Sequence, residues 1–566
     1  MITVRLTDSL TPVFPGRFDG PTLSSFSLCR NEPFSFQMAY RITEGPEKSV
    51  PFFVRVETEL PLSCYYVGCV PVIHTDFPPL EPTPPVGPYP DVLMPKAVNP
   101  PLTRVETWGE VRYYESGEKT ALFAYNDSWQ ALWFTVNENG AELPAGTYGV
   151  RMELFSRKRE KVGEASLSLE VLDAVLPPQT LLYTNWFHCD CLADWYHTEI
   201  FSDRFFEIMR DFVRKAARNG MNMILLPAFT PPLDTPAGME RMTAQLVRVT
   251  VEDGAYRFDF SLLERFIDLC REEGIGYFEH SHFFTQWGAA HAPKVLADTG
   301  SGEVRLFGWD TDALSDGYVG FLRSYLTALR GFLREKGLEK NVLFHVSDEP
   351  NASNFRAYEA AFAKIADLLE GYMVGDALSD VRFFESGLVK LPIASAPHAA
   401  DFVGRGGDIW VYYTGADVGN GMSNRILTIS RERNRSLGVQ LYKSGAKGFL
   451  HWGYNYYYGE LSFGLADPFL TPTGGYPNPA TSYCVYPAPD GTAYQSVRQK
   501  IFAEGLVDMR ALQLLESLSG RPVCEAVIEN YFGACDFYSS AASPGVLTAF
   551  RTEVNDAIRR YAAGKK

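Results

Sequence analysis

From Leu181 onward the chain alternates two hydrophobic patterns. Short apolar runs bounded by turn residues read as buried strands, and between them apolar positions recur at helical spacing. The runs predict strands at Leu181–His188, Met221–Pro227, Ile275–Phe283, Asn341–Ser347, Tyr372–Ala377, Ile393–Ala396, Ile409–Tyr413 and Gly448–Trp452. Helices are predicted near residues 202–219, 260–273, 317–337, 353–370 and 424–444. Strands that alternate with helices imply a parallel sheet, and about eight of them over roughly 280 residues fit a (β/α)8, TIM-like barrel. The connection after the fifth run is short, so the barrel should be irregular there.

The first 175 residues follow a different rhythm. Runs such as Phe52–Val56, Ala131–Val136 and Gly149–Leu154 are β-rich, with turn residues between them and few helical patterns. This predicts an antiparallel β-sandwich over residues 1–175. Ten prolines fall between Pro78 and Pro101, so that stretch is expected to cross the surface as an extended loop. Pro177-Pro178 marks a hinge into a barrel domain at 176–490. Beyond it, Val497, Ile501, Phe502, Leu506, Met509 and Leu512 recur at helical spacing. Residues 491–566 therefore read as a helical segment packed on the barrel, with a last helix near 544–562.

Composition narrows the partners. The chain has 566 residues, 46% of them hydrophobic, enough for several domains and a large core. Its net charge of −16 argues against nucleic acid and anionic membrane, which need clustered Lys and Arg. No apolar run is long enough to predict a transmembrane helix. The N-terminus lacks the apolar stretch of a signal peptide, so the protein is expected to be cytoplasmic, or secreted with its leader already removed. The nine cysteines are scattered and include no CxxC pair. They read as buried free thiols, although Cys64 and Cys69 could face each other in a hairpin.

The chemistry collects at the ends of the barrel runs. Val342-Leu343-Phe344-His345-Val346-Ser347 leads into Asp348-Glu349-Pro350. The proline ends the strand, and the two acids meet solvent at the C-terminal mouth, where barrels do their chemistry. The plain alternative is that both acids serve the N-terminus of a helix starting near Asn351 or Ser353. Other run ends carry Asn185-Trp186-Phe187-His188-Cys189-Asp190, Glu279-His280-Ser281-His282, Trp410-Val411-Tyr412-Tyr413 and His451-Trp452-Gly453-Tyr454-Asn455-Tyr456. Aromatic rings beside hydrogen-bonding groups suit sugars, which present a C–H face and a rim of hydroxyls. Each ring could equally be core filling.

His345-x-x-Asp348-Glu349-Pro350, the segment Gly448–Tyr456, Tyr89-Pro90-Asp91-Val92-Leu93 and the sandwich-then-barrel order together resemble glycoside hydrolase family 123 and its relatives. Known members are β-N-acetylgalactosaminidases, and their acidic pair matches Asp348 and Glu349. The resemblance implies an exo-acting enzyme for terminal β-linked N-acetylgalactosamine. It also implies retaining, substrate-assisted hydrolysis, in which the 2-acetamido oxygen attacks the anomeric carbon and no enzyme nucleophile is needed. Glu349 would then be the general acid and later base, and Asp348 the carboxylate that orients the acetamido group. Trp452 is a candidate floor for the sugar. Tyr412, Tyr413, Tyr454 and Asn455 are candidates for hydrogen bonds to it, and His188, Asp190, His280 and His345 for hydroxyl recognition. Glu279 and Glu385 are weaker candidates as acids. No metal or cofactor is expected, and the partner is a glycan or glycoconjugate.

Three rivals remain. His280-x-His282, with His188, Asp190 and His345, could hold a metal in a barrel hydrolase. The cleft could belong to a non-catalytic carbohydrate-binding protein. A conventional retaining glycosidase, with a carboxylate nucleophile and another sugar, is the third.

Overall fold

The computed structural model describes residues 1–74, 85–95, 122–286, 288–419 and 421–563, and the backbone alone of 103–108 and 111–115. Two seven-stranded sheets face each other in the N-terminal part. The first runs Ile2–Asp8, Phe34–Ile42, Gln130–Val136, Leu62–Val72, Gly87–Met94, Ala493–Ser496, Val485–Pro487. The second contains Ser25–Cys29, Lys161–Leu172, Gly146–Ser156 and Ser49–Thr58, followed by Val111–Glu115 and Thr103–Trp108. Pairing is antiparallel except between Ser25–Cys29 and Lys161–Leu172.

The two-residue period of a strand sorts the side chains. Phe36, Met38 and Tyr40 of the first sheet meet Val54, Val56 and Met152 of the second in one core. Ala39, Ala131 and Trp133 point the other way, into the core shared with the barrel. The first sheet is thus covered on both faces and braces the barrel.

Three expectations for this region change. The proline-rich stretch is not wholly a loop, because Gly87–Met94 is a strand paired to Leu62–Val72. Its outer neighbour reaches only Val92 and Leu93, so Pro88 and Pro90 lie where the strand is an edge. Alternate residues direct their N–H groups to one side, so both missing donors can fall on the open edge. The remaining prolines at 78–84 and 100–101 lie outside the described residues. Cys64 and Cys69 sit on one strand, not across a hairpin, and all nine cysteines are free. Within 491–566, expected to be helical, Ala493–Ser496 is a strand, and with Val485–Pro487 from the range expected for the barrel it completes the first sheet.

All eight expected barrel strands form. Leu182–Asn185, Met223–Leu226, Tyr277–His280, Val342–Phe344, Met373–Leu378, Leu391–Ser395, Trp410–Tyr412 and Gly448–His451 pair in sequence order and close into a parallel barrel. Long helices at Asp203–Arg218, Ser261–Glu272, Asp316–Glu335 and Arg431–Ser444 flank it. The connections after the fifth and sixth strands hold the four-residue helices Arg382–Glu385 and Ala399–Phe402, the second preceded by a 3-10 turn at Ala396–His398, so the barrel departs from a regular (β/α)8. Two hairpins, Arg248–Asp259 and Val295–Phe307, form a four-stranded sheet in the loops after the second and third strands. The interior of the barrel is filled by Met223, Leu225, Leu343, Ala377, Ile393, Trp410 and Leu450.

Helix Val497–Ser519 binds the parts together. Gly438 and Gly505 let it approach Arg431–Ser444 so closely that a Cβ on Gly438 would meet the Gly505 carbonyl oxygen at 1.8 Å. At its first turn Arg498 Nε donates to Asp91 Oδ2 over 3.0 Å, and Tyr486 OH donates to the same oxygen over 2.6 Å. Asp91 of the Tyr89–Leu93 motif therefore ties sandwich to barrel. Among the described residues, no helix is long and apolar enough to cross a membrane.

Candidate active site

The strand alternation that fills the barrel also decides what reaches its mouth. Leu343 points inward, Phe344 outward and His345 inward again. Regular alternation would then send Asp348 and Glu349 to opposite sides. The backbone breaks that rule. Glu349 has φ 43°, in the left-handed region that non-glycine residues enter at a cost of about 1–2 kcal/mol. The turn folds the second acid back beside the first, and both line a cavity of about 140 Å³ at the mouth of the barrel. Trp186, Ala377 and Leu450 give the cavity an apolar base, with Trp452 and Tyr412 standing beside the acids.

Tyr412 OH donates to Glu349 Oε1 over 2.7 Å. Burial holds Glu349 above the usual carboxylate range, Asp417 pushes in the same direction, and the Tyr412 bond works against both. Burial also pushes Asp348 well up, helped by the Glu349 and Asp376 charges, while His345 pulls it down. Two neighbouring carboxyls in a half-dry cavity resist double ionisation and titrate as a unit. The pair therefore tends to hold one proton between its two carboxyls, and the upward push is the stronger on Asp348.

Beneath the acids lies a fully buried chain of charge. His345 Nε2 is 2.9 Å from Glu279 Oε2, and its Nδ1 is 3.4 Å from Asp376 Oδ1. Burial alone would depress this imidazolium, but the two carboxylates raise His345 to about 10. Glu279 also accepts from Trp186 Nε1 (2.9 Å) and from the Thr184 hydroxyl. Asp376 accepts from Tyr358 OH (2.5 Å) and Val346 N–H (2.9 Å). His282, His345 and Asp376 bring one ligand atom each to within 4.8 Å of one another, the one cluster among the described residues that could hold a metal. His345 in this cluster already lies between Glu279 and Asp376.

Asp234 enters from the loop after the second strand. Its φ is 44°, and its Oδ2 accepts from Tyr456 OH (2.7 Å), Leu461 N–H (3.0 Å) and Tyr476 OH (2.5 Å). Those partners come from the loop after the eighth strand, so Asp234 locks two loops together at the rim. Trp452 meets Tyr456 edge-on and Tyr476 at a tilt, with ring centres at 5.3 and 5.6 Å.

Of the residues singled out in the sequence, Asp348, Glu349, His188, Tyr412 and Trp452 line the cavity. The rest do not, and strand parity accounts for His280 and Tyr413. His280 points outward, where its Nε2 is 2.7 Å from Tyr325 OH. Tyr413 follows the inward Tyr412 and packs outward on Phe449 and His451. Tyr454 is fully buried and donates to the Phe212 carbonyl over 2.9 Å. Asn455 bridges the backbone of His188, accepting from its N–H (2.8 Å) and donating to its carbonyl (3.1 Å). Asp190 is held by Arg241 through two bonds of 2.9 Å. His345 points inward but is buried below the acids. Glu279 is a buried brace, and Glu385 is paired with Arg405 at the surface. Even His188 is committed: its Nε2 bonds the Trp452 carbonyl (2.8 Å), and burial with the Arg241 charge lowers it to about 4. Trp186, Asp234 and Gln286 were not read as site residues. Asp234 lies in a Pro-Pro-Leu-Asp-Thr-Pro loop with no periodic pattern to flag it.

A family model for the catalytic domain of glycoside hydrolase 123 matches residues 186–515. The chain belongs to glycoside hydrolase family 123. Every cavity residue of this family 123 chain falls within the matched span. Its fold is similar to that of a family 123 glycoside hydrolase from Clostridium perfringens, described in connection with glycolipid glycan hydrolysis. The TM-score is 0.70 at 14% identity, over 100% of this chain and 98% of that one. Two β-glucuronidases, from Bacteroides uniformis and Parabacteroides merdae, align over 79% and 80% of this chain and 46% of theirs. Their identities are 9% and 11%, and at a TM-score of 0.27 neither supports a structural argument. No curated protein sequence matches the chain significantly. The family membership makes the protein a glycoside hydrolase, and its mouth cavity with two adjacent acids is the candidate site.

Proposed function

We propose that this glycoside hydrolase removes terminal β-linked N-acetylgalactosamine by a retaining, substrate-assisted reaction. The observation that carries the reading is the left-handed turn at Glu349, which delivers two consecutive carboxyls to one cavity beside an indole and a tyrosine. Strained backbone at a catalytic centre is a way to hold such a constellation.

The acetamido oxygen attacks C1 of its own sugar while the C1–O bond to the leaving group breaks. Glu349 gives its proton to the departing oxygen. Asp348, as the ionised member of the pair in this reaction, accepts the acetamido N–H and balances the charge that spreads over the oxazolinium ring. Water then adds to C1, Glu349 takes its proton, and the acetamido group is restored with net retention. Tyr412 fixes the Glu349 carboxyl by one oxygen, leaving the other to face the substrate. The apolar base and Trp452 suit the C–H face of a pyranose. The relative's connection with glycolipid glycans makes an oligosaccharide headgroup a reasonable source of the sugar.

The test is inhibition by a thiazoline that mimics the cyclised sugar. Substrate assistance requires it to bind at least ~100-fold more tightly than free N-acetylgalactosamine, as transition-state-like ligands do. Equal affinity would overturn the mechanism. One observation favours a second reading: Asp234 places a third carboxylate on the cavity, so a conventional nucleophile is available. That reading requires hydrolysis of sugars lacking the acetamido group and a covalent adduct with a 2-fluoro sugar.

A further inference from the structure

The polar atoms around the cavity can be sorted by what they already bond. Trp186 Nε1 is spent on Glu279 (2.9 Å). Gln286 is used at both ends: its Oε1 accepts from Asp234 N–H (2.9 Å) and its Nε2 donates to the Thr235 carbonyl (3.1 Å). Thr414 Oγ1 donates to Asp417 (3.1 Å) and accepts from Ala416 N–H (3.2 Å). His188 is held by Trp452 and Arg241, and Tyr412 OH by Glu349. Trp452 can only donate. Among the carboxylates, those that line the cavity and can accept a sugar hydroxyl are the acid pair and Asp234.

Asp234 is built for that task. Three donors converge on its Oδ2, while Oδ1 has no partner among the described residues. The three bonds fix the rotamer. The backbone is pinned as well, with Ser462 Oγ donating to the Asp234 carbonyl over 2.7 Å. Leu461 and Ser462 are themselves left-handed, at φ 55° and 61°, so the clasp between the two loops is shaped on both sides. The result is a rigidly held carboxylate among the residues that line the cavity, with Oδ1 left unpartnered among the described residues.

We infer that Asp234 Oδ1 is the specificity-determining acceptor for a ring hydroxyl of the bound sugar, at C3 or C4. This deepens the function proposed above and rests on it. In that reading the acid pair is occupied at C1 and C2, so the third carboxylate must serve hydroxyls elsewhere on the ring. A carboxylate in fixed orientation accepts from hydroxyls of one stereochemistry and not of its epimer. Asp234 is therefore the residue that discriminates among 2-acetamido sugars.

The experiment crosses Asp234→Asn with a deoxy scan. Asparagine tolerates the left-handed backbone and keeps one oxygen for the tyrosines, so the clasp should survive while an NH2 group replaces Oδ1. The substrates are aryl 2-acetamido-2-deoxy-β-galactoside and its 3-, 4- and 6-deoxy analogues. Wild-type kcat/KM should fall by about 10- to 100-fold on removal of the recognised hydroxyl. Asp234→Asn should lose a similar factor on the parent sugar, mostly in KM. It should then be nearly indifferent to that one deoxygenation and still sensitive to the others. Tyr476→Phe, which loosens the clasp but leaves Oδ1 in place, should lose evenly on all four sugars. If the variant shows the wild-type pattern of deoxy losses, the assignment falls alone. If it is dead on every sugar and a 2-fluoro sugar labels Asp234, the residue is a nucleophile and the assignment is likewise overturned. If wild-type enzyme cleaves no 2-acetamido glycoside, the proposed function fails and takes this inference with it.

Discussion

Tyr412→Phe offers a direct view of how the acid is tuned. The change deletes one hydroxyl, and with it the 2.7 Å bond to Glu349 Oε1. That bond favours the carboxylate, against burial and the Asp417 charge, which both favour the acid. A hydrogen bond to a charged group is worth about 1.5–3 kcal/mol, and the half-buried state of Glu349 argues for the lower end. One pH unit corresponds to about 1.4 kcal/mol, so Glu349 should move up by about one unit. The alkaline limb of kcat/KM reports loss of its proton in the free enzyme. Measured on an aryl 2-acetamido-2-deoxy-β-galactoside, that limb should shift to higher pH by about one unit in the variant. Asp417→Asn should shift it the other way, because Asp417 holds Glu349 up. An alkaline limb that stays in place, or moves down with Tyr412→Phe, would refute the assignment of Glu349 as the acid controlled by this contact.

Glu349→Gln should cost at least ~100-fold on substrates with poor leaving groups and much less on activated aryl glycosides, whose departure needs little protonation; a leaving-group series measures this, and equal losses would count against the role. His345→Gln breaks the buried Glu279–His345–Asp376 chain and should destabilise the protein by about 3–5 kcal/mol near neutrality. Because His345 is raised to about 10, its contribution is complete below its unfolded value of 6.5 and is lost as pH rises through 10. Thermal melts should therefore show the gap between wild type and variant narrowing from pH 6 to pH 10, and a constant gap would contradict the imidazolium. Prolonged dialysis against a chelator should leave kcat/KM unchanged, whereas a stoichiometric metal whose removal abolishes turnover would place His282, His345 and Asp376 in a different role.

The sequence was most legible where period and punctuation agreed. All eight barrel strands appear because short apolar runs ended by turn residues leave little choice, and the short connection after the fifth strand shows up as a four-residue helix. The acid pair was legible because Pro350 ends its run. What could not be read was parity. His280 and Glu279 are neighbours in sequence, yet one faces a helix and the other the barrel interior. Tyr412 and Tyr413 divide in the same way. Contacts across long separations were equally hidden. Nothing local shows that Ala493–Ser496 joins a sheet begun at Ile2, or that Asp234 is clasped by Tyr456 and Tyr476. The proline-rich stretch misled because proline excludes a central strand but not an edge.

In the proposed reaction Asp348 and Glu349 serve one amino-sugar whose own acetamido oxygen is the nucleophile. Aryl glycosides carrying 2-N-acetyl, fluoroacetyl, difluoroacetyl and trifluoroacetyl groups test it most directly, since fluorine drains that oxygen of electron density without altering the leaving group. The account expects kcat/KM to fall steeply along the series, by at least ~100-fold from acetyl to trifluoroacetyl. A flat series would show that the oxygen takes no part, and that a carboxylate of the enzyme attacks instead.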